Sequence, residues 1–138
     1  MLLKRNQITT KNHKPIYLLL METLKYPCYI AIGARQEARP QEIILFEADI
    51  NYTKVHFANG RSLMVATTLK AFEGRFKCHN FFRTHKGYLV NMAFAERLCE
   101  AECRLHLKDK KEIIVSRRKL IELRNKLLMQ NLVPFNQN

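Results

Sequence analysis

Residues 82–91 read Phe-Arg-Thr-His-Lys-Gly-Tyr-Leu-Val-Asn, and this segment is the most informative part of the sequence. Phe82-Arg83 belongs to a strand that runs into a polar bend, Thr84 to Gly87. Tyr88 to Val90 follows as a second short apolar segment, which Asn91 ends. Short apolar segments separated by turn residues are typical of β-strands with tight connections. The stretch therefore predicts β-structure in the middle of the chain.

A hairpin is predicted on the N-terminal side of this stretch. Residues 52–58 alternate between polar and apolar side chains, and residues 61–66 return as the partner strand. Asn59-Gly60 lies between them and predicts a two-residue hairpin loop, because both residues tolerate positive φ. Two further apolar strands are expected upstream, at residues 29–34 and 43–46. Residues 35–41 between them contain Pro40 and are expected to form a loop.

Two helices and three more strands complete the pattern. Thr67-Thr68 supplies the cap of a short internal helix with Leu69, Phe72 and Phe76 on one face. Ser116 caps a C-terminal helix. One apolar stripe of this helix consists of Leu120, Leu123 and Leu127. Ile121 and Leu128 lie beside the stripe. The strands between the helices are expected at residues 95–100, 103–107 and 113–115.

These elements predict a mostly β, mostly antiparallel fold class with a short internal helix and a C-terminal helix. The pattern excludes a helix-turn-helix reader, which needs adjacent helices where this chain has strands. With 138 residues and 47% apolar side chains, the chain has room for one domain and is not a disordered basic tail. No apolar run approaches the roughly 18 residues of a membrane span. No signal peptide is visible either, so we expect a cytoplasmic domain without membrane insertion.

We divide the chain into three parts. Residues 1–28 form a basic arm with a short helix at Ile16 to Lys25, and they are a candidate assembly segment, an additional basic contact or a cover over one sheet edge. Residues 29–132 form the β domain, and residues 133–138 form a tail.

Neither an enzyme nor a metal site is expected. The chain lacks a phosphate-binding loop, a nucleophile elbow and a His-Glu-x-x-His motif, and no cofactor is implied. A zinc site could combine Cys99 and Cys103 with Cys78-His79 and His106. The chain has no paired Cys-x2-Cys knuckle, however, so reduced structural thiols, Cys28 included, are the favoured interpretation.

The net charge points to a polyanionic partner. Lys and Arg number 24 against 12 Asp and Glu, which gives +12, and such an excess most often serves nucleic acid, although it could serve solubility alone. Arg117 to Lys119 are expected in the first turn of the last helix, where the macrodipole disfavours each cation by about 0.3–1 kcal/mol. Either a negative partner offsets this repulsion, or the three side chains point into water.

Four blocks of the sequence resemble the LytTR family of DNA-binding domains. Residues 82–91 are similar to the family's His-Arg-Ser-x-Leu-Val-Asn core, and Ile44 to Asp49 with Asn51-Tyr52 resembles its opening. Thr68 to Phe72 resembles its internal helix, and Val115 to Arg118 its closing Ser-Arg-Arg element. The blocks follow the family's order over residues 29–127.

The resemblance implies an elongated fold of about ten short antiparallel strands and a transcription regulator that reads double-stranded DNA. Family members insert loops into successive major grooves at imperfect direct repeats, so a homodimer on tandem sites is one expected arrangement. The implied base contacts are Asn51, Lys86 and Arg118, and the implied phosphate or auxiliary contacts are Tyr52, His85, Arg117 and Lys119. Leu89 to Asn91 are interpreted as structural. Gly87 departs from the family, which usually has a hydroxyl residue there.

Most family members follow a receiver domain of a two-component system. The residues before Tyr29 are too few for a receiver and contain no Asp, so phosphorylation control of this chain is not expected. Two other functions stay open: a non-enzymatic interaction module that partners a sensor or membrane protein, and RNA binding. The sequence lacks the Gly-Phe-rich stacking motif of common RNA modules.

Overall fold

The computed structural model describes residues 28–131. The expected N-terminal helix, the C-terminal tail and the end of the last helix near Pro134 lie outside these residues. Neither α-helix of the described segment is long and apolar enough to cross a membrane.

The described segment contains ten strands, two α-helices and three 3₁₀ turns, which confirms the predicted fold class. The strands are β1 (Ile30–Gly33), β2 (Gln36–Ala38), β3 (Ile43–Asp49), β4 (Tyr52–Phe57), β5 (Ser62–Val65), β6 (Phe81–His85), β7 (Tyr88–Asn91), β8 (Ala95–Cys99), β9 (Arg104–Leu107) and β10 (Glu112–Ile114). The helices are α1 (Leu69–Arg75) and α2 (Leu120–Asn131), and the 3₁₀ turns are Pro40–Glu42, Met92–Phe94 and Arg117–Lys119.

A five-stranded antiparallel sheet with the order β5-β4-β3-β7-β6 forms the centre of the domain. Strands β3, β6 and β7 supply side chains to cores on both faces of this sheet, which explains the unbroken apolar run Ile43–Phe46. Successive side chains of a strand point to opposite faces, so such a run supplies two cores at once. Phe81 and Phe82, adjacent in sequence, accordingly belong to different cores.

The first core lies under α1 and the β1–β2 hairpin. Phe46 and Phe72 stack with their ring centroids 4.2 Å apart, and Phe76 and Phe81 pack around them. Thr68 caps α1 by accepting the Ala71 N–H at 3.2 Å, as the sequence predicted. The internal helix is therefore fixed by its cap and by aromatic burial together.

The second core lies between the central sheet and a three-stranded sheet with the order β10-β9-β8. Helix α2 contributes Leu123 and Leu127 to it, as predicted. Ile121 and Leu128 were expected beside this stripe, but they are 63% and 57% exposed. The apolar contact of α2 is thus narrower than its sequence suggests.

Two connections differ from the sequence prediction. The β4–β5 loop has three residues, Ala58 to Gly60, because Phe57 pairs with Arg61 and Gly60 alone takes a positive φ of +91°. Residues 35–41 were expected to be a loop, but they contain β2 and the start of a 3₁₀ turn. The β1–β2 hairpin turns at Ala34-Arg35, both with positive φ, and neither residue type signals such a turn.

Asn91 locks the end of the central sheet. Its side chain is buried, and Nδ2 donates to the carbonyl oxygens of Ile43 at 2.9 Å and Pro40 at 3.2 Å. Its Oδ1 accepts the Ala93 N–H at 3.0 Å. These contacts confirm that Asn91 is structural.

Candidate nucleic-acid interface

The β3–β4 and β6–β7 loops lie side by side at one end of the central sheet. Ile50-Asn51 is the two-residue loop between the paired residues Asp49 and Tyr52. Ala48 donates its backbone N–H to the Gly87 carbonyl at 2.8 Å, which joins the end of β3 to the neighbouring loop. The exposed loops that carry Asn51 and Lys86 are therefore held together by the sheet.

A second backbone bond brings the Arg117–Lys119 turn to the same end. Ser116 donates its N–H to the Thr84 carbonyl at 2.8 Å, and the Thr84 hydroxyl donates to the Ile114 carbonyl at 3.2 Å. Thr84 lies two residues before Lys86, and Ser116 lies two residues before Arg118. The bond between Thr84 and Ser116 therefore places the Arg117–Lys119 turn close to the β6–β7 loop. The structure thus gathers at one end all three loops that the resemblance implied for base contact.

The Arg117–Lys119 turn corrects one sequence expectation. These residues form a 3₁₀ turn that precedes α2, and the Ser116 side chain makes no capping bond. The Lys119 Nζ lies 5.4 Å from the Phe82 ring centroid and 3.7 Å from a Glu122 carboxylate oxygen. Lys119 is thus partly engaged within the protein, whereas Arg117 and Arg118 are exposed.

His85 is half-buried and its ring is oriented by the loop that it precedes. Its Nδ1 accepts the Gly87 N–H at 3.1 Å. A neutral His85 therefore carries its proton on Nε2, the nitrogen that can donate to a phosphate oxygen. The exposed Tyr52, at the start of β4, is the fourth phosphate or auxiliary candidate.

Arg83 supports the β6–β7 loop, a role that sequence reasoning missed. Its Nε donates to the His85 carbonyl at 3.0 Å and its Nη2 to the Lys86 carbonyl at 2.6 Å. Its Nη1 donates to a Glu73 carboxylate oxygen of α1 at 2.9 Å. The guanidinium is thus turned inward, and the only available signal was its place within the 82–91 stretch.

Three carboxylates near this end are paired with other side chains, whereas Asp49, exposed beside the β3–β4 loop, has no ion pair among residues 28–131. The pairs are Glu47 with His56 at 2.8 Å, Glu73 with Arg83 at 2.9 Å, and Glu122 with Lys119 at 3.7 Å. Within residues 28–131, no ion pair involves Lys86, Arg117 or Arg118. These three side chains are therefore available to an anionic ligand.

The cysteines are free and do not converge. Cys99 lies in β8 and Cys103 in the following turn, whereas Cys28 and Cys78 are exposed. In the part of the chain that the structure describes, no three His, Cys, Asp or Glu side chains gather as metal ligands. The zinc alternative gains no support from this part.

The described segment is thus a β-rich domain of ten short strands that brings three polar or basic connections to one end of its central sheet. The family model of the LytTr DNA-binding domain matches residues 37–128, which is most of the chain. The chain therefore belongs to the LytTR family of DNA-binding domains. No curated protein matches the sequence.

A solved structure shares this fold. It is the LytTr DNA-binding domain of a protein described as a methyl-accepting/DNA response regulator from Bacillus cereus. The two chains are 16% identical, with a TM-score of 0.60 over 73% of this chain and 95% of the other. At this identity the likeness establishes the fold and says nothing of individual contacts.

Proposed function

We propose that the protein is a transcription regulator that binds promoter DNA sequence-specifically through loops placed in successive major grooves. The observation that carries the proposal is the pair of backbone bonds, Ala48 to Gly87 and Ser116 to Thr84, that gather three loops at one end. Membership of a DNA-binding family supplies the ligand class. No catalytic role is assigned, because the family is one of binding domains.

The base-reading residues in this proposal are Asn51, Lys86 and Arg118, one from each loop. Arg and Lys suit the O6 and N7 acceptors of guanine, and Asn suits the N6 and N7 edge of adenine. Phosphate contacts are assigned to four residues that surround them: Tyr52, His85, Arg117 and Lys119. Their positions around the three loops would fix the register of the domain on the duplex.

A direct repeat fits a domain that presents one set of three loops. Two copies on tandem half-sites, as a homodimer or as separate monomers, would each read one repeat. We place the protein in the bacterial cytoplasm, where promoter DNA is found.

Selection from random duplexes tests the proposal, and a tandem direct repeat is the expected product. On the selected site, Arg118→Ala should cost about 1–3 kcal/mol and relax the preference at one position. Arg117→Ala is the matched control: it should weaken all duplexes alike and reduce the salt slope by about one. If about five phosphates are neutralised, log K should fall against log salt with a slope near −4.5. Equal losses on specific and random DNA for Arg118→Ala would refute its base contact.

A protein-interaction module is the second candidate. The exposed Ile121, Leu128 and Met129 on α2 favour it, because an exposed apolar face of a helix suits a protein partner. Light scattering on the full chain and on a chain that begins near Pro27 distinguishes the two. A partner-dependent oligomer with no affinity for any duplex would support this candidate.

A further inference from the structure

Ile50 occupies an unusual position at the tip of the β3–β4 loop. Its side chain is 94% exposed and its φ is +55°. Within residues 28–131 it is the only β-branched residue with a positive φ. Left-handed backbone is uncommon for any residue but Gly, Asn and Asp, and it is most costly for β-branched side chains.

The loop geometry makes glycine the expected residue at this position. Ile50 and Asn51 join the paired residues Asp49 and Tyr52, and of the two only Ile50 has a positive φ. This is the φ pattern of a type II′ turn, whose first central residue is usually glycine. An isoleucine here costs backbone strain and exposes an apolar side chain to water, so folding alone does not account for it.

Ile50 lies beside the candidate base-reading residue Asn51. The Ala48–Gly87 bond holds this loop against the one that carries Lys86. An apolar side chain at such a tip matches one chemical feature of the major groove, which is the C5-methyl group of thymine. The polar edges of the other bases have no attraction for it.

We infer that Ile50 is a specificity-determining residue that packs on a thymine methyl group, so that the β3–β4 loop requires a T·A pair. The inference rests on the proposed function and deepens it. It assigns an apolar contact to a loop for which the resemblance implied only the polar contact of Asn51.

Deoxyuridine tests the contact, because it lacks only the methyl group of thymidine. In the selected duplex, each thymidine is replaced singly by deoxyuridine, and affinities are measured for the wild type, Ile50→Ala and Asn51→Ala. One replacement should weaken the wild type about three- to tenfold, as expected for the loss of a buried methyl contact. Ile50→Ala should lose a similar factor and be insensitive at that position. Asn51→Ala, the control from the same loop, should keep the sensitivity.

Ile50→Asn gives an independent readout. It should raise the melting temperature, because Asn tolerates the left-handed backbone, and it should lower the affinity as Ile50→Ala does. Unchanged affinity of Ile50→Ala, or a wild type indifferent to every deoxyuridine, overturns the inference while sequence-specific binding stands. Loss of a homodimer in Ile50→Ala without a deoxyuridine effect also overturns it and assigns Ile50 to a contact between copies. If no sequence is selected from the random pool, the proposed function itself fails.

Discussion

Replacing Arg83 by lysine should weaken binding to a selected DNA site while leaving binding to random duplex unchanged. The guanidinium holds the carbonyl oxygens of His85 and Lys86 and a carboxylate oxygen of Glu73 at the same time. A lysine ammonium keeps the charge, but it lacks the planar fork that reaches all three acceptors. The change therefore separates the support of the β6–β7 loop from the net charge of the domain.

The size of the effect follows from the two residues of this loop. Ordering a residue costs about 1–2 kcal/mol of backbone entropy, so two unsupported residues would cost about 2–4 kcal/mol on binding. The His85–Tyr88 pair and the Ala48–Gly87 bond remain in the variant and limit the loss. We expect about half of the full cost, which is roughly a tenfold weaker specific complex.

Fluorescence anisotropy on the selected and a random duplex measures this effect, with circular dichroism to check the fold. Arg75→Lys is the matched control, because the Arg75 Nη1 donates to the Ala31 carbonyl of β1 at 2.9 Å and makes no hydrogen bond to any of the three candidate base-reading loops. It should leave both affinities unchanged. An equal loss on both duplexes for Arg83→Lys, or no loss on the selected duplex, would refute the reasoning.

Four further predictions concern stability. Asn91→Ala should cost about 1–3 kcal/mol, because the buried Ile43 carbonyl oxygen loses its Asn91 donor while the Pro40 carbonyl keeps the Ile43 N–H, and urea unfolding measures it. Gly33→Ala should destabilise the protein, because Gly33 has a φ of +94° and a Cβ would lie 2.9 Å from the Thr67 Oγ1. Gly74 occupies an exposed position of helix α1, and a Cβ added there would have no atom within 4 Å. Gly74→Ala should therefore stabilise the protein by about 0.5–1 kcal/mol in the same assay. Burial, and to a smaller extent the nearby Glu47 carboxylate, raises the pKa of Tyr88 above its usual value of 10.0. The folded state therefore favours the neutral phenol, so its contribution is present below pH 10 and is lost as the pH rises through the raised pKa. Above pH 10 the wild type should lose stability relative to Tyr88→Phe until the pH passes the raised pKa, and parallel stability curves would contradict the assignment.

The sequence predicted the elements whose side chains repeat regularly. The alternation of residues 52–58, the Thr68 cap and the Leu123–Leu127 stripe each has one structural interpretation, and all three were confirmed. The β1–β2 turn was missed because Ala34 and Arg35 reach positive φ through strand pairing and not through residue preference.

The candidate site was predicted less completely, for reasons of the same kind. The family motifs indicated which loops matter, and the structure brings those loops to one end. The inward role of Arg83 depends on Glu73, ten residues away on a separate helix, and no local pattern encodes that contact. The left-handed backbone of Ile50 follows from the strand register, and the side chain alone would suggest a buried strand residue.

The central sheet also determines how the domain should unfold. Phe81 and Phe82 pack into opposite cores, and so do Leu89 and Val90 one strand away. A strand that leaves one core must therefore open the other, so the two cores form a single cooperative unit. Near-ultraviolet and far-ultraviolet circular dichroism should consequently report coincident thermal transitions. Since the loops proposed to read DNA extend from strands of this unit, heat should abolish tertiary packing and specific DNA binding at the same temperature.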